Sequence, residues 1–159
     1  MSEINQSNFD PSVNAPFAIG GVGLFILKGD LVLLGERQGS HGEGEFGGPG
    51  GKIDHGMTIF ETAYSELEEE VGADLKIKNL GFLCLSDLLD YIDDGKHFVD
   101  IGLIAEYESG EPVVMEPDKA KSWGWYSLDD LPGRLFGCFE NYLEAYRTGK
   151  TFFPKEERL

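Results

Sequence analysis

Cysteine is scarce in this 159-residue chain: Cys84 and Cys138 are the only two, too few for a disulfide framework and without metal-ligand spacing. Cations are scarce as well, 13 basic side chains against 29 acidic ones, for a net charge of −16. A surface that binds a nucleic-acid polymer needs basic residues to displace counterions, so this balance argues against such a partner. No run of about 18 apolar residues is present, which argues against a membrane span. The first sixteen residues, "MSEINQSNFDPSVNAP", lack the basic-then-apolar order of an export signal and read as a polar arm before a single domain over 17–159. The expected location is a reducing cytoplasm, and the expected ligand is small. An anionic one would need a metal ion or local donors to offset the carboxylates.

What is present suffices for a core: 41% of residues are hydrophobic and 12% aromatic. The stretches 17–29 and 31–37 predict a hairpin turning at Gly29 and Asp30. "RQGSHGEGEFGGPGGK" (37–52) has seven glycines in sixteen residues and reads as a loop that a phosphate or metal could approach closely. Thr58 to Gly72 predicts a helix, opened by the capping box of Thr58 and Glu61 and stopped by Gly72. Phe60, Ala63, Tyr64, Leu67 and Val71 recur at helical spacing and predict its buried stripe. Further strands are expected at 75–89 and 96–109, shorter ones at "EPVVM" and "SWGWYSL", and a last amphipathic helix over 134–149. Strands on both sides of a central helix, with a second helix at the end, predict an α+β fold with a mixed sheet between helices.

Within the first helix, Glu66, Glu69 and Glu70 fall in one sector opposite the apolar stripe, at about 100 degrees per residue. Glu68 points elsewhere. Three carboxylates beside a loop rich in carbonyls make a hard oxygen site suited to Mg²⁺ or Mn²⁺. Helix geometry alone favours the plainer reading, a solvated acidic face, and does not settle the matter. The glycine-rich loop is no nucleotide P-loop, because Phe46 and Ile53 stand where that motif needs glycine and Ser or Thr.

Loop and helix together resemble the Nudix hydrolase signature, G-x5-E-x7-R-E-U-x-E-E-x-G-U, with U a bulky aliphatic residue. Gly51, Glu66, Leu67, Glu69, Glu70 and Gly72 stand at the required positions, and Ala73 takes the last aliphatic one. "PGGK" before the helix and "SWGWYSLDDLP" after the sheet extend the resemblance over roughly residues 17 to 148. Two positions depart: Met57 replaces the signature glutamate and Ser65 the arginine, side chains that pair with each other in the family. Losing both avoids stranding one charge.

The resemblance implies a Nudix fold, an α/β/α sandwich, and water attack on a phosphoric anhydride bond assisted by Mg²⁺ or Mn²⁺. It implies Glu66 and Glu70 as metal ligands, Glu69 as a further ligand or the base, and the Gly50 carbonyl as part of the inner shell. Glu69 and Glu70 are thus the expected catalytic pair. Arg37, His41, Gly51, Lys52 and Glu116 are the candidate substrate-binding residues, with Asp118 an alternative to Glu116 as the extra acid. His55 and His97 are expected to be structural or exposed. Trp123 and Trp125 are expected to pack on a strand, with base stacking as the alternative. The loop region looks most like MutT-like members that cleave a nucleoside triphosphate to a monophosphate and pyrophosphate. The alternatives are a hydrolase of another nucleoside diphosphate compound, such as a dinucleotide or nucleotide sugar, and a Nudix module that binds a nucleotide without turnover. A homodimer is compatible with the resemblance.

Overall fold

The structure is a computed structural model, and it describes residues 17–39 and 42–156. Among these residues eight strands and two α-helices follow in the order β1 (Ile19–Lys28), β2 (Leu31–Arg37), β3 (Phe46–Gly47), β4 (Gly50–Lys52), α1 (Ile59–Val71), β5 (Lys76–Leu88), β6 (Phe98–Ser109), β7 (Ala120–Ser127), α2 (Phe139–Thr148) and β8 (Phe152–Phe153), with a single 3-10 turn at Ile92–Asp94 between β5 and β6. All eight strands join one mixed sheet: β1 runs parallel to β6 and antiparallel to β2, and β5 antiparallel to β6. No helix among the described residues is long and apolar enough to cross a membrane.

Strand alternation sends the apolar side chains of β1 to both faces. Val22, Leu24 and Ile26 pack with Ala63, Leu67 and Val71 of α1 on one face. Phe25 packs with Phe139, Tyr142 and Ala145 of α2 on the other. The helices therefore cover opposite faces, giving the expected α/β/α sandwich.

Helix α1 starts where its capping box requires: Glu61 N–H donates to Thr58 Oγ1 at 3.1 Å, and Thr58 N–H donates to Glu61 Oε2 at 3.0 Å. Its buried stripe is narrower than the sequence predicts. Thr62, Ala63, Leu67 and Val71 are buried, whereas Phe60 and Tyr64 remain 47% and 49% exposed. The ridge of Phe60 and Tyr64 sits one step around the helix from the line of contact with β1. "EPVVM" is also not a strand. It closes the end of α1 instead, with Val113 N–H donating to Val71 O at 2.9 Å and Met115 N–H to Glu70 O at 3.3 Å. Two carbonyls that the helix leaves without intrahelical partners are satisfied this way. The last helix begins at Phe139 rather than 134, and the glycine-rich loop contributes two short strands, β3 and β4.

That loop creates the opening in the sheet. β1 pairs with β2 only near Leu27 and Lys28. At the other end β4 lies against β1, with Gly21 opposite Lys52 and Gly23 opposite Gly50. The approach is close enough that a Cβ on Gly50 would fall 3.0 Å from the Cα of Gly23. The sheet parts between β1 and β2, and a cavity forms in the gap.

Candidate active site

The cavity has a volume of about 670 Å³. Its lining gathers Glu66 and Glu70 from α1, Glu116, Asp118 and Lys119 from the segment before β7, and Gly50, Gly51 and Lys52 from β4. Tyr91, Phe98, Phe136 and Tyr142 line it as well, with Asp100 among them.

Each acidic group is placed by its backbone. Glu66 and Glu70 are one helical turn apart on the side of α1 facing β4. Gly50 N–H donates to Glu70 Oε2 at 3.2 Å, which ties the loop to the helix. Gly51 offers a bare Cα against Glu66; a Cβ there would lie 2.5 Å from Glu66 Oε1. The bond from Met115 N–H to the Glu70 carbonyl carries Glu116 to the same cavity. Glu116 Oε2 pairs with Lys119 Nζ at 3.2 Å, and its Oε1 is buried without a hydrogen-bond partner among the described residues. Glu69 is exposed on the helix and accepts from Ser65 Oγ at 3.2 Å, so Ser65 occupies the arginine position of the motif by holding this glutamate.

Burial strains the charge on these groups. The Glu70 carboxyl is pushed up to about 8, first by burial and then by the charge of Glu66, with the Gly50 N–H pulling the other way. Glu66 is raised to about 7 by burial and then by Glu69, and Lys119 partly offsets the rise. The arrangement favours a positive charge or protons between the two carboxylates. Among the described residues, no three carboxylate, imidazole or thiol side chains already converge as a ready-made metal cage. The main-chain oxygens of the loop would have to complete the donor set.

Arg37 leaves the end of β2 and lies over the ring of Phe136, 3.5 Å from guanidinium carbon to ring centroid. Its Nε is buried without a partner among the described residues, and burial lowers its pKa despite the nearby charges of Tyr91, Glu70 and Glu45. Gln38 N–H donates to Lys119 O at 2.9 Å, which fixes the Arg37 strand beside the Glu116–Lys119 segment. Of the sequence candidates, Arg37, Gly50, Gly51, Lys52, Glu66, Glu70 and Glu116 line the cavity and Glu69 does not. His41 lies outside the described residues. His55 is exposed and His97 half-buried, and neither lines the cavity. Both tryptophans pack on the α1-side core, with Trp123 also reaching the cavity wall.

Asp100, Phe136 and Tyr142 were not legible as site residues. Asp100 sits on the α2 face of β6, where Tyr142 Oη donates to its carboxylate. Burial raises it to about 6, against the pull first of the Tyr142 hydroxyl and then of the neighbouring Cys138 thiol. The only forewarning is Gly102, a glycine inside an apolar strand, which hints that something large packs there.

Comparison with known proteins decides the family. A NUDIX domain model matches residues 18–146. The chain belongs to the Nudix family. It resembles the crystal structure of a MutT NUDIX hydrolase from Burkholderia pseudomallei, with a TM-score of 0.75 and 34% identity, covering 81% of this chain and 98% of that one. Among curated relatives, an ADP-ribose pyrophosphatase from Methanocaldococcus jannaschii is 31% identical over 120 residues, 75% of this chain and 66% of the relative. An oxidized purine nucleoside triphosphate hydrolase from Danio rerio is 32% identical over 115 residues, 69% of this chain and 66% of the relative. The chain thus spans slightly less than two thirds of either curated relative's length.

Proposed function

We propose that this Nudix chain is a divalent-metal-dependent pyrophosphohydrolase that cleaves a nucleoside triphosphate to a nucleoside monophosphate and pyrophosphate. The observation that carries the reading is the mixed lining of one cavity: carboxylates beside a glycine loop, together with aromatic side chains around a polar group. A nucleotide calls for the same two kinds of group, one for an anhydride-linked phosphate chain and one for a flat base. The name of the Danio rerio relative supports the triphosphate reading.

The donor set fits Mg²⁺ or Mn²⁺: Glu66 and Glu70 resist carrying unpaired charge, and Glu116 holds a buried oxygen without a partner. Glu66, Glu70 and the Gly50 carbonyl would hold the ion, with Glu69 and Glu116 close enough for their charges to act on Glu66. When bound, such an ion neutralises phosphate oxygens and polarises phosphorus. The chain supplies the rest. Water attacks phosphorus, the bridging oxygen departs with pyrophosphate, and the proton of the water passes to a glutamate. Glu70 Oε2 is occupied by the Gly50 N–H, which leaves Oε1 as the acceptor in one version. Glu69, oriented by Ser65, is the acceptor in the other. Arg37, Lys52 and Lys119 supply positive charge for the departing phosphates.

A second reading has one observation in its favour, the name of the M. jannaschii relative: cleavage of a nucleoside diphosphate compound such as ADP-ribose. The deciding experiment incubates the protein with Mg²⁺ and each nucleoside triphosphate or ADP-ribose, and separates pyrophosphate, phosphate and sugar phosphate. Pyrophosphate release abolished by EDTA, and lowered on the order of 100-fold or more by Glu70→Gln, is the expected result. Tight nucleotide binding with no turnover of any substrate would replace it with a binding module.

A further inference from the structure

We infer that Asp100 is the specificity-determining residue of this cavity, and that it takes the edge of a base carrying two neighbouring N–H donors, guanine among the standard bases. The inference rests on the nucleotide reading above and deepens it. Three observations lead to it.

The first is capacity. A carboxylate offers about four acceptor positions, and Asp100 spends one, at Oδ2, on a neutral donor inside the protein, Tyr142 Oη. The second is access. Asp100 lines the cavity, and its register partner across the parallel pair of β1 and β6 is Gly21. A Cβ on Gly21 would sit 3.9 Å from Asp100 Oδ1 and 3.8 Å from Phe98 Cδ1, so any longer side chain there would crowd the carboxylate. The third is the setting. Phe98 shares Asp100's strand face two residues away, and Tyr91 and Phe136 stack with ring centroids 5.5 Å apart in the same cavity wall. Aromatic walls around a hydrogen-bonding group are how proteins hold a base taken out of a helix stack.

Donor counting selects the base. An ionised carboxylate only accepts. Guanine presents a ring N–H beside an amino group. Adenine and cytosine present an amino group beside a ring nitrogen acceptor, which would face the carboxylate lone pair against lone pair. Uracil and thymine present one N–H between two carbonyls. Only the guanine edge gives both carboxylate oxygens a donor. Tyr142 then acts as a positioning residue: its ring is wedged between Gly23 and Gly102, partners in register on β1 and β6, and its hydroxyl fixes the carboxylate's orientation.

The test uses the full chain and measures binding and turnover separately. Calorimetric binding of the monophosphates to wild type should rank GMP first, then IMP, which lacks the amino donor, with 1-methyl-GMP, which lacks the ring N–H, weakest. The loss from GMP to 1-methyl-GMP should be about 10–100-fold. This comparison needs no variant, so a folding defect cannot obscure it. Asp100→Asn, which offers one acceptor and one donor, should raise KM for GTP by a similar factor. It should also improve ATP or CTP relative to GTP while changing kcat less. Equal binding of GMP and 1-methyl-GMP would overturn the inference. A uniform fall in kcat/KM for all four triphosphates in Asp100→Asn, tracking a lower Tm, would also overturn it and leave only a structural aspartate. GMP selectivity without hydrolysis of any triphosphate would sink the proposed activity and keep the role of Asp100. Hydrolysis with no dependence of base preference on Asp100 would do the reverse.

Discussion

The Cα of Gly51 is the seat of the Glu66 carboxylate, since a Cβ at that position would lie 2.5 Å from Oε1. Gly51 is not in the left-handed region, so alanine strains no backbone torsion there. What it meets is the tip of a flexible side chain, which can swing away at small cost. Gly51→Ala should therefore fold, with a Tm within a few degrees of wild type, yet lose about 10–100-fold in kcat/KM and need more Mg²⁺ for half-maximal rate. A titration of rate against Mg²⁺ beside a melting curve checks it. Unchanged Mg²⁺ dependence would mean that Glu66 is not seated for a cation.

The raised carboxyls of Glu66 and Glu70 make a prediction for the metal-free protein. Both bind protons more tightly folded than unfolded, so their contribution to stability is fully present below about pH 4.5, the unfolded value. It is lost as pH rises through about 7 for Glu66 and about 8 for Glu70. Asp100, at about 6, adds a loss of the same sign at lower pH. In EDTA, Tm should fall between pH 5 and pH 8.5, and Mg²⁺ should flatten the slope by supplying the missing positive charge. Glu70→Gln carries no charge to bury and should melt higher than wild type at pH 8.5 in EDTA. A slope identical in wild type and Glu70→Gln would show that Glu70 does not titrate in this window.

Sequence made one part of the site readable and left the rest dark, for a physical reason. Gly51, Glu66 and Glu70 lie within twenty residues on one loop and one helix, where fixed spacing translates into fixed geometry. Asp100, Phe136 and Tyr142 come from separate elements, and only the pairing of β1 with β6 and the docking of α2 bring them together. Spacing also misjudged Phe60 and Tyr64. Periodicity of 3.6 marks a broad apolar sector, but the sheet accepts only the narrower ridge of Ala63, Leu67 and Val71. "EPVVM" has strand-like composition, yet its backbone bonds go to the end of α1, a demand no local pattern reveals.

Tyr142 and the paired glycines beneath it give a packing test. A Cβ on Gly102 would meet the Tyr142 ring at 2.6 Å, and one on Gly23 would meet it at 2.8 Å. Tyr142 is 4% exposed and packs against Phe139, so its ring has no free space to enter. Gly102→Ala should cost about 1–3 kcal/mol by overpacking, read from chemical denaturation. Adding Tyr142→Leu should recover part of that loss, because the obstructing ring is gone. A Gly102→Ala protein as stable as wild type would show that α2 is free to shift outward.

The replaced pair, Met57 and Ser65, offers the last test. Met57 is 36% exposed on the turn before α1, and Ser65 spends its hydroxyl on Glu69. Ser65→Arg alone places a cation among Glu66, Glu69 and Glu70, where it competes with a metal for the same carboxylates. Met57→Glu alone adds a fourth negative charge near an already crowded end. Together the two can pair with each other, which removes both faults. The double variant should exceed the sum of the single changes in stability by about 0.5–1 kcal/mol, the worth of a half-exposed ion pair with good geometry. Its Mg²⁺ requirement should return toward wild type, whereas Ser65→Arg alone should need more metal. Strict additivity in both melting and Mg²⁺ titration would mean that positions 57 and 65 do not meet in this chain, and that Ser65 serves only to hold Glu69.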